Sequence, residues 1–211
     1  MSRATLQTRL DQGLAALGQT LAEDVRARLV DYVELLARWN AAYNLTAVRD
    51  PQDMVTRHLL DSLAIAPFVT GTTLADVGSG AGLPGLVLAI IAPERAVTLI
   101  DTNGKKSRFQ REAVRSLRLD NVEVIHARVE QVEGTFDCVT ARAFASLGDM
   151  LTWGGHLLAA NGRWLAMKGR RPDDELTALP DGFRLEREHE VTVPGLDAER
   201  RLLVLARSDA P

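Results

Sequence analysis

The chain has a single cysteine, Cys138. With one thiol, no disulfide can close within the chain and no cysteine metal cluster can form. That usage fits a reducing compartment, and a cytoplasmic location is expected. Histidine is scarce as well: four residues lie scattered, with no second histidine at ligand spacing, so no metal site is expected. The longest apolar run, Leu86 to Ala92, is far too short to span a bilayer, and no membrane partner is expected. Met1 to Gly18 carries leucines at helical spacing in place of a continuous apolar block, so no signal peptide is read there. Charge of one sign is also lacking. A net −3 argues against a protein that coats nucleic acid indiscriminately, and leaves room for a local basic patch. No repeat, linker or low-complexity segment interrupts the 211 residues, and one domain over 1–211 is expected.

What is there falls into two parts. In the first, 1–70, Leu6, Leu10, Leu14 and Leu17 share one helical face. Thr20-Leu21-Ala22-Glu23 reads as a capping box that starts a second helix at Leu21, with a stripe through Val25, Leu29, Val33 and Leu36. Asp50 and Pro51 read as the cap and first position of a third helix, which carries Arg57 to Ser62 and stops before Pro67. In the second part, 71–211, short β-rich runs at Thr73–Val77, Ala96–Asp101, Val122–His126, Phe136–Ala141 and Arg163–Lys168 alternate with helical stretches at Leu86–Ala92, Lys105–Leu119 and about Leu147–Ala160. Such alternation implies right-handed crossovers and a mostly parallel sheet. Phe183–Val193 and Arg201–Arg207 then read as two strands with no helix between them, an antiparallel close to a seven-stranded α/β sheet. The helical start is expected to pack on this sheet.

The segment Asp76-Val77-Gly78-Ser79-Gly80-Ala81-Gly82-Leu83-Pro84-Gly85 is a strand end, a glycine-rich turn and a helix start. Glycines accept positive φ and let a ligand approach the backbone, and an open α/β sheet binds nucleotides at this point. Two registers fit. Gly80, Gly82 and Gly85 match G-x-G-x-x-G, the dinucleotide fingerprint. Asp76, Gly78, Gly80 and Gly82 match the D-x-G-x-G-x-G loop of S-adenosylmethionine enzymes. Asp101, about 20 residues on, stands where a ribose-hydroxyl acceptor is expected for either cofactor. Asp76 favours S-adenosylmethionine, because a carboxylate at the strand tip would repel a pyrophosphate and attract an α-amino group. The short chain, with little left over for a separate substrate domain, points the same way.

Other residues have two readings each. Val129 and Glu130 follow the third strand, beside the expected adenine edge; Glu130 also reads as an acid at a helix start. Arg142, after the fourth strand, could hold a carboxylate or phosphate, or simply cap a helix on the surface. Phe144 could stack on a base or belong to the core. His58, with Asp61 three residues on, reads more readily as a polar contact between helix and sheet than as chemistry, since no serine or cysteine nucleophile stands in a strand–turn context. Lys105, Lys106, Arg108, Arg111, Arg115 and Arg118 load one helix and read as a solvated face. Arg128, Arg142, Lys168, Arg170 and Arg171 lie at strand ends on the carboxyl side of the sheet, where they would gather around one mouth suited to an anionic substrate.

Taken together, Trp39 to Ala47, Arg57 to Ser62, Asp76 to Gly85, Asn103 to Lys106, Ala127 to Glu130 and Ala141 to Leu147 resemble the bacterial small-subunit ribosomal RNA methyltransferase G family, also called glucose-inhibited division protein B. The resemblance runs from about Trp39 to Lys168, with Leu83 standing where relatives often have Phe. It implies a Rossmann-like S-adenosylmethionine-dependent methyltransferase fold and methyl transfer to N7 of guanine 527 in 16S rRNA, within the small ribosomal subunit or an assembly intermediate. By motif position it implies cofactor contacts at Gly78, Leu83, Val129, Glu130 and Arg142, to which the loop reading adds Gly80, Gly82 and Asp101. Arg142, Phe144 and Lys168 are the positioning candidates; Arg128, Arg142, Lys168 and Arg170 are the RNA-binding ones. A monomer is expected. Three other readings are kept: an NAD-dependent oxidoreductase, a non-catalytic nucleotide-sensing module whose helical start binds a partner, and a methyltransferase with a small-molecule acceptor.

Overall fold

The computed structural model describes residues 2–208; residues 1 and 209–211 of the expected 1–211 unit lie outside the described residues. Helix α1 (Arg3–Ala16) is capped by Ser2, whose hydroxyl accepts from the Thr5 amide. Helix α2 (Glu23–Tyr43) starts two residues later than the capping box at Thr20 implied. Ala22 is its N-cap and has no side-chain hydrogen bond to offer, and Glu23 and Asp24 sit in the first turn, where acids complement the helix dipole. Asp50 caps α3 (Pro51–Met54) as expected, its carboxylate accepting from the Gln52 amide at 2.8 Å. The helix then widens into a π turn at Val55–Leu60 before α4 (Asp61–Leu63), and His58, Asp61 and Ser62 are all buried.

Seven strands form one sheet in the order β3-β2-β1-β4-β5-β7-β6. Strands β1 (Thr73–Val77), β2 (Ala96–Asp101) and β3 (Val122–His126) have the expected bounds; β4 runs over Phe136–Arg142. These four and β5 are parallel, while β7 (Arg201–Arg207) lies antiparallel to both β5 and β6 (Phe183–Glu190). Helices α5 (Gly85–Ile91) and α6 (Gly104–Leu117) link β1 to β2 and β2 to β3. The expected helix over Leu147–Ala160 is shorter: α7 ends at Gly154, a 3-10 turn covers Gly155–Leu157, and β5 begins at Leu158 and runs to Lys168. Pairing of Leu158 with Phe136 draws these residues into the sheet against their helical propensity. Between β5 and β6 lies the short helix α8 (Asp173–Leu176).

Side-chain alternation along β1 divides the core in two. Leu74 faces a cluster shared with α1, α2, α5 and α6, including Tyr32, Leu36, Leu86 and Phe109. Ala75 and Val77 face the other cluster, built on α7 and Trp164. Cys138, fully buried in β4, pairs in register with Leu74 and Arg163. Burial pushes its thiol up to about 12. Strand order reverses between β1 and β4, and an open α/β sheet binds ligands at the carboxyl ends of the strands at such a point. No helix among the described residues is long and apolar enough to cross a membrane.

Candidate active site

The glycine turn after β1 is held from several sides. The amides of Gly78 and Ser79 donate to the Ile100 carbonyl at 2.9 and 3.1 Å. The Gly80 amide donates to Asp101 Oδ2 at 2.7 Å, and Asp101 Oδ1 accepts from the Asn103 amide at 2.8 Å. The buried Tyr32 hydroxyl of α2 donates to the Ala81 carbonyl at 2.8 Å. Gln110 of α6, also buried, donates to the Gly80 carbonyl at 2.8 Å and to Ser79 Oγ at 2.9 Å. Sequence reasoning passed over Tyr32 and Gln110; the only available signal was a polar group on the apolar face of each helix. Gly78 has φ +65, and a Cβ there would stand 2.3 Å from the Phe144 ring, so bare backbone is required at that point.

Asp76 lines neither of the cavities described below. Alternation turns it toward the helical layer, where it is fully buried; Oδ2 accepts from the Gly85 amide at 2.8 Å, and Oδ1 lies 3.1 Å from the Thr140 hydroxyl. Burial pushes its carboxyl up to about 7, against the opposing hydrogen bonds from Gly85 and Thr140. The expected attraction between Asp76 and a bound α-amino group is therefore corrected: this carboxylate ties β1 to α5 and β4 beneath the loop. Gly82 is likewise structural. It lines neither cavity described below, and a Cβ on it would meet Leu86 at 2.3 Å.

Two cavities open at the carboxyl ends of the strands. The first, about 590 Å³, has Gly78, Asp101, Arg128, Val129, Glu130 and Phe144 among its walls, with Trp153 edge-on to Phe144. The second, about 520 Å³, includes Gly80, Leu83, His58, Arg142, Lys168 and Arg200. They share Gly78, Lys106 and Ala143, so they meet at the glycine turn. Ala143 there has φ +50, a left-handed conformation that costs about 1 kcal/mol or more in a non-glycine residue. Five cations line the second cavity (Arg57, Lys106, Arg142, Lys168 and Arg200) against one carboxylate, Asp61.

The cations are not equally free. Asp61, its side chain only 3% exposed, accepts from Arg142 Nη1 at 3.1 Å through Oδ2 and from Arg200 Nε at 2.8 Å through Oδ1. Arg142 also donates to the Arg57 carbonyl at 3.2 Å. It is thus anchored, with its remaining N–H groups left over for a ligand. Lys168 donates to Glu175 at 2.9 Å and to the Ala145 carbonyl at 3.0 Å, so it stands as an ion pair rather than a free clamp. Arg170 lies away from both cavities, in a third lined by the 168–175 segment. His58 Nε2 lies 3.0 Å from Thr46 Oγ1. Burial and the nearby Arg142 push the imidazole down to about 4, so it is neutral at pH 7, as a polar contact requires.

Comparison with known proteins accords with this architecture. The family model described as GidB, rRNA small subunit methyltransferase G, matches residues 26–204. Ribosomal RNA small subunit methyltransferase G of Pseudomonas syringae pv. syringae is 53% identical over 201 residues, 94% of this chain and 94% of that protein. The protein of the same description from Marinobacter nauticus is 52% identical over 202 residues, covering 95% and 94%. Among solved structures, magnesium protoporphyrin IX methyltransferase from Synechocystis, with bound SAM, superposes with a TM-score of 0.59 at 18% identity, covering 90% of this chain and 99% of that one. TrmN from Thermus thermophilus gives 0.56 at 21%, covering 73% and 53%. These structural likenesses speak for the Rossmann-like methyltransferase fold, whereas the sequence matches reach across nearly the whole chain: the protein belongs to the rRNA small subunit methyltransferase G family.

Proposed function

We propose that the protein transfers a methyl group from S-adenosylmethionine to N7 of guanine 527 in 16S rRNA. Family membership makes it an S-adenosylmethionine-dependent methyltransferase of small-subunit rRNA. The observation that supports an anionic acceptor beside the donor is the pair of cavities meeting at Gly78 and Ala143, one suited to an adenosine, the other basic; N7 of guanine 527 is what the family resemblance implies. The residues of the first fit the cofactor. A Cβ at Gly78 would collide with the Phe144 wall, Asp101 keeps unused lone pairs beside its two amide donors, and Ile100, Val129 and Phe144 supply apolar walls. Glu130 stands at the same rim. In this reading Gly78, Asp101, Val129 and Glu130 hold the adenosine, Gly80 and Leu83 face the methionine end, and Arg142 stands at the junction with the RNA. With Asp76 buried, electrostatics at the strand tip no longer separate this cofactor from a dinucleotide; the family match does.

The bound cofactor supplies an electrophilic methyl on a sulfonium. Guanine N7 offers an in-plane lone pair and carries no proton, so the N–C bond forms as the C–S bond breaks and the positive charge passes to the purine. No general base is required, which agrees with a His58 that is buried, neutral and engaged by Thr46. What the chain contributes is alignment, an effect worth up to roughly 7–11 kcal/mol. The anchored Arg142 fixes the mouth through which the base reaches the methyl, and RNA phosphates neutralise the cations around it. The target guanine has to leave its stack to enter. Phe144 and Arg128, in the walls of the first cavity, are the candidate supports beside it; Lys168 is engaged by Glu175 and Arg170 lies outside both cavities, so neither is assigned there. We further propose that the helical extension and the sheet act as one monomeric unit in the cytoplasm, on the small subunit or an assembly intermediate.

Mass spectrometry of 16S rRNA from cells with and without the gene tests the reading. It expects 7-methylguanosine at position 527 only in the first; methylation that persists without the gene, or appears at a different nucleotide, refutes it.

A further inference from the structure

The structure assigns an RNA-backbone docking groove to the outer face of α6, formed by Lys105, Arg108 and Arg111 with His126 of β3, and continuous with the rim of the donor cavity at Asn103. The inference rests on the proposed activity and names the surface that supports it. A groove of about 640 Å³ is lined by Asn103, Gly104, Lys105, Arg108, Arg111 and His126, with no carboxylate among them. Lys105, Arg108 and Arg111 are exposed and recur every third residue, a slanting stripe with cations about 4.5 Å apart along the axis. The helix buries its other side through Ser107, Phe109, Gln110 and Ala113. Among the described residues, none of the three lies within ion-pair distance of a carboxylate, whereas Arg115 farther along the same helix pairs with Glu112 at 2.7 Å. His126 Nε2 donates to the Thr102 carbonyl at 2.9 Å, which fixes the ring as the groove's far wall.

Position relative to the site turns this from a solvated face into a docking surface. Asn103 lines both the groove and the donor cavity, and its side chain caps α6 by accepting from the amides of Lys105 and Lys106. Lys106 lines both active-site cavities. An unbroken basic track therefore leads from the groove to the point where the cavities meet. The other strongly basic segment contrasts with it: beyond β5, Arg171 pairs with Asp173 at 2.8 Å and with Glu188 at 3.1 Å, and Lys168 pairs with Glu175. In a chain of net charge −3, a patch left without counter-charges is matched by a phosphate backbone, and contact is needed because salt screens exposed charges beyond about 8 Å.

The test compares the Lys105→Ala/Arg108→Ala/Arg111→Ala protein with Arg184→Ala/Arg187→Ala, which removes exposed charge from β6 at the opposite edge of the sheet. Binding to purified small subunits is measured as a function of salt, and binding of S-adenosylhomocysteine by calorimetry. For the α6 variant the expectation is about tenfold weaker subunit binding, a log–log salt slope smaller by about two for three lost phosphate contacts, and unchanged S-adenosylhomocysteine affinity; the β6 variant should match wild type. An α6 variant that binds like wild type, or two variants weakened alike, overturns the groove. Subunit binding decides this independently of catalysis, so wild-type protein that binds but leaves guanine 527 unmethylated would sink the proposed activity alone.

Discussion

Asp76→Asn should stabilise the protein, and increasingly so as pH rises. An ordinary aspartate ionises near 3.9, whereas burial pushes Asp76 up to about 7. Between these values the unfolded chain has lost the proton that the folded one keeps, so folding stability falls as pH rises from about 4 to 7 and levels off above that. About three units at 1.36 kcal/mol each set an upper bound of about 4 kcal/mol on the penalty above pH 7. Asparagine avoids it with the same shape. Its amide oxygen can accept from the Gly85 amide, and its amide nitrogen can donate to the Thr140 hydroxyl, which turns to the Ala75 carbonyl 3.4 Å away. His58 acts in the opposite direction in both proteins. Held neutral, it makes stability fall as pH drops from 6.5 toward 4, and this cancels when the two are compared. Urea unfolding of both proteins from pH 4 to 8 gives the difference directly. The variant should match wild type near pH 4 and exceed it by up to about 4 kcal/mol at pH 8. A difference that does not change with pH, or wild type gaining on the variant as pH rises, would refute the reasoning.

Asp61→Asn removes the carboxylate shared by Arg142 and Arg200 and should cost about 3 kcal/mol of stability; methyl transfer should drop further than S-adenosylhomocysteine affinity, as single-turnover kinetics and calorimetry would report. Tyr32→Phe leaves the Ala81 carbonyl without its buried donor and should lower stability by about 1–2 kcal/mol in denaturant titration. It should also weaken cofactor binding, because the loop loses the brace from α2.

Much of this could be read from residue order alone. Strands β1, β2 and β3 have the bounds that their β-branched runs set, because turn residues flank each one. The glycine loop and Asp101 were legible because a turn of that kind tolerates few other residues. Leu158 to Ala160 were not, since their sequence suits a helix and only β4 makes them a strand. Nor was the direction of Asp76, because which face of β1 lay beneath the helical layer depended on α2 and α5 packing there. Lys168 was read as a free cation because its partner, Glu175, lies seven residues on, in a four-residue helix that no local pattern announces.

Cys138 has a use that its chemistry alone would not suggest. It is the chain's sole thiol, sealed in a central strand with its ionisation suppressed, so an alkylating reagent reaches it only when the sheet opens. The rate of native-state labelling therefore reports the opening equilibrium of the sheet in the unaltered protein, with no probe introduced.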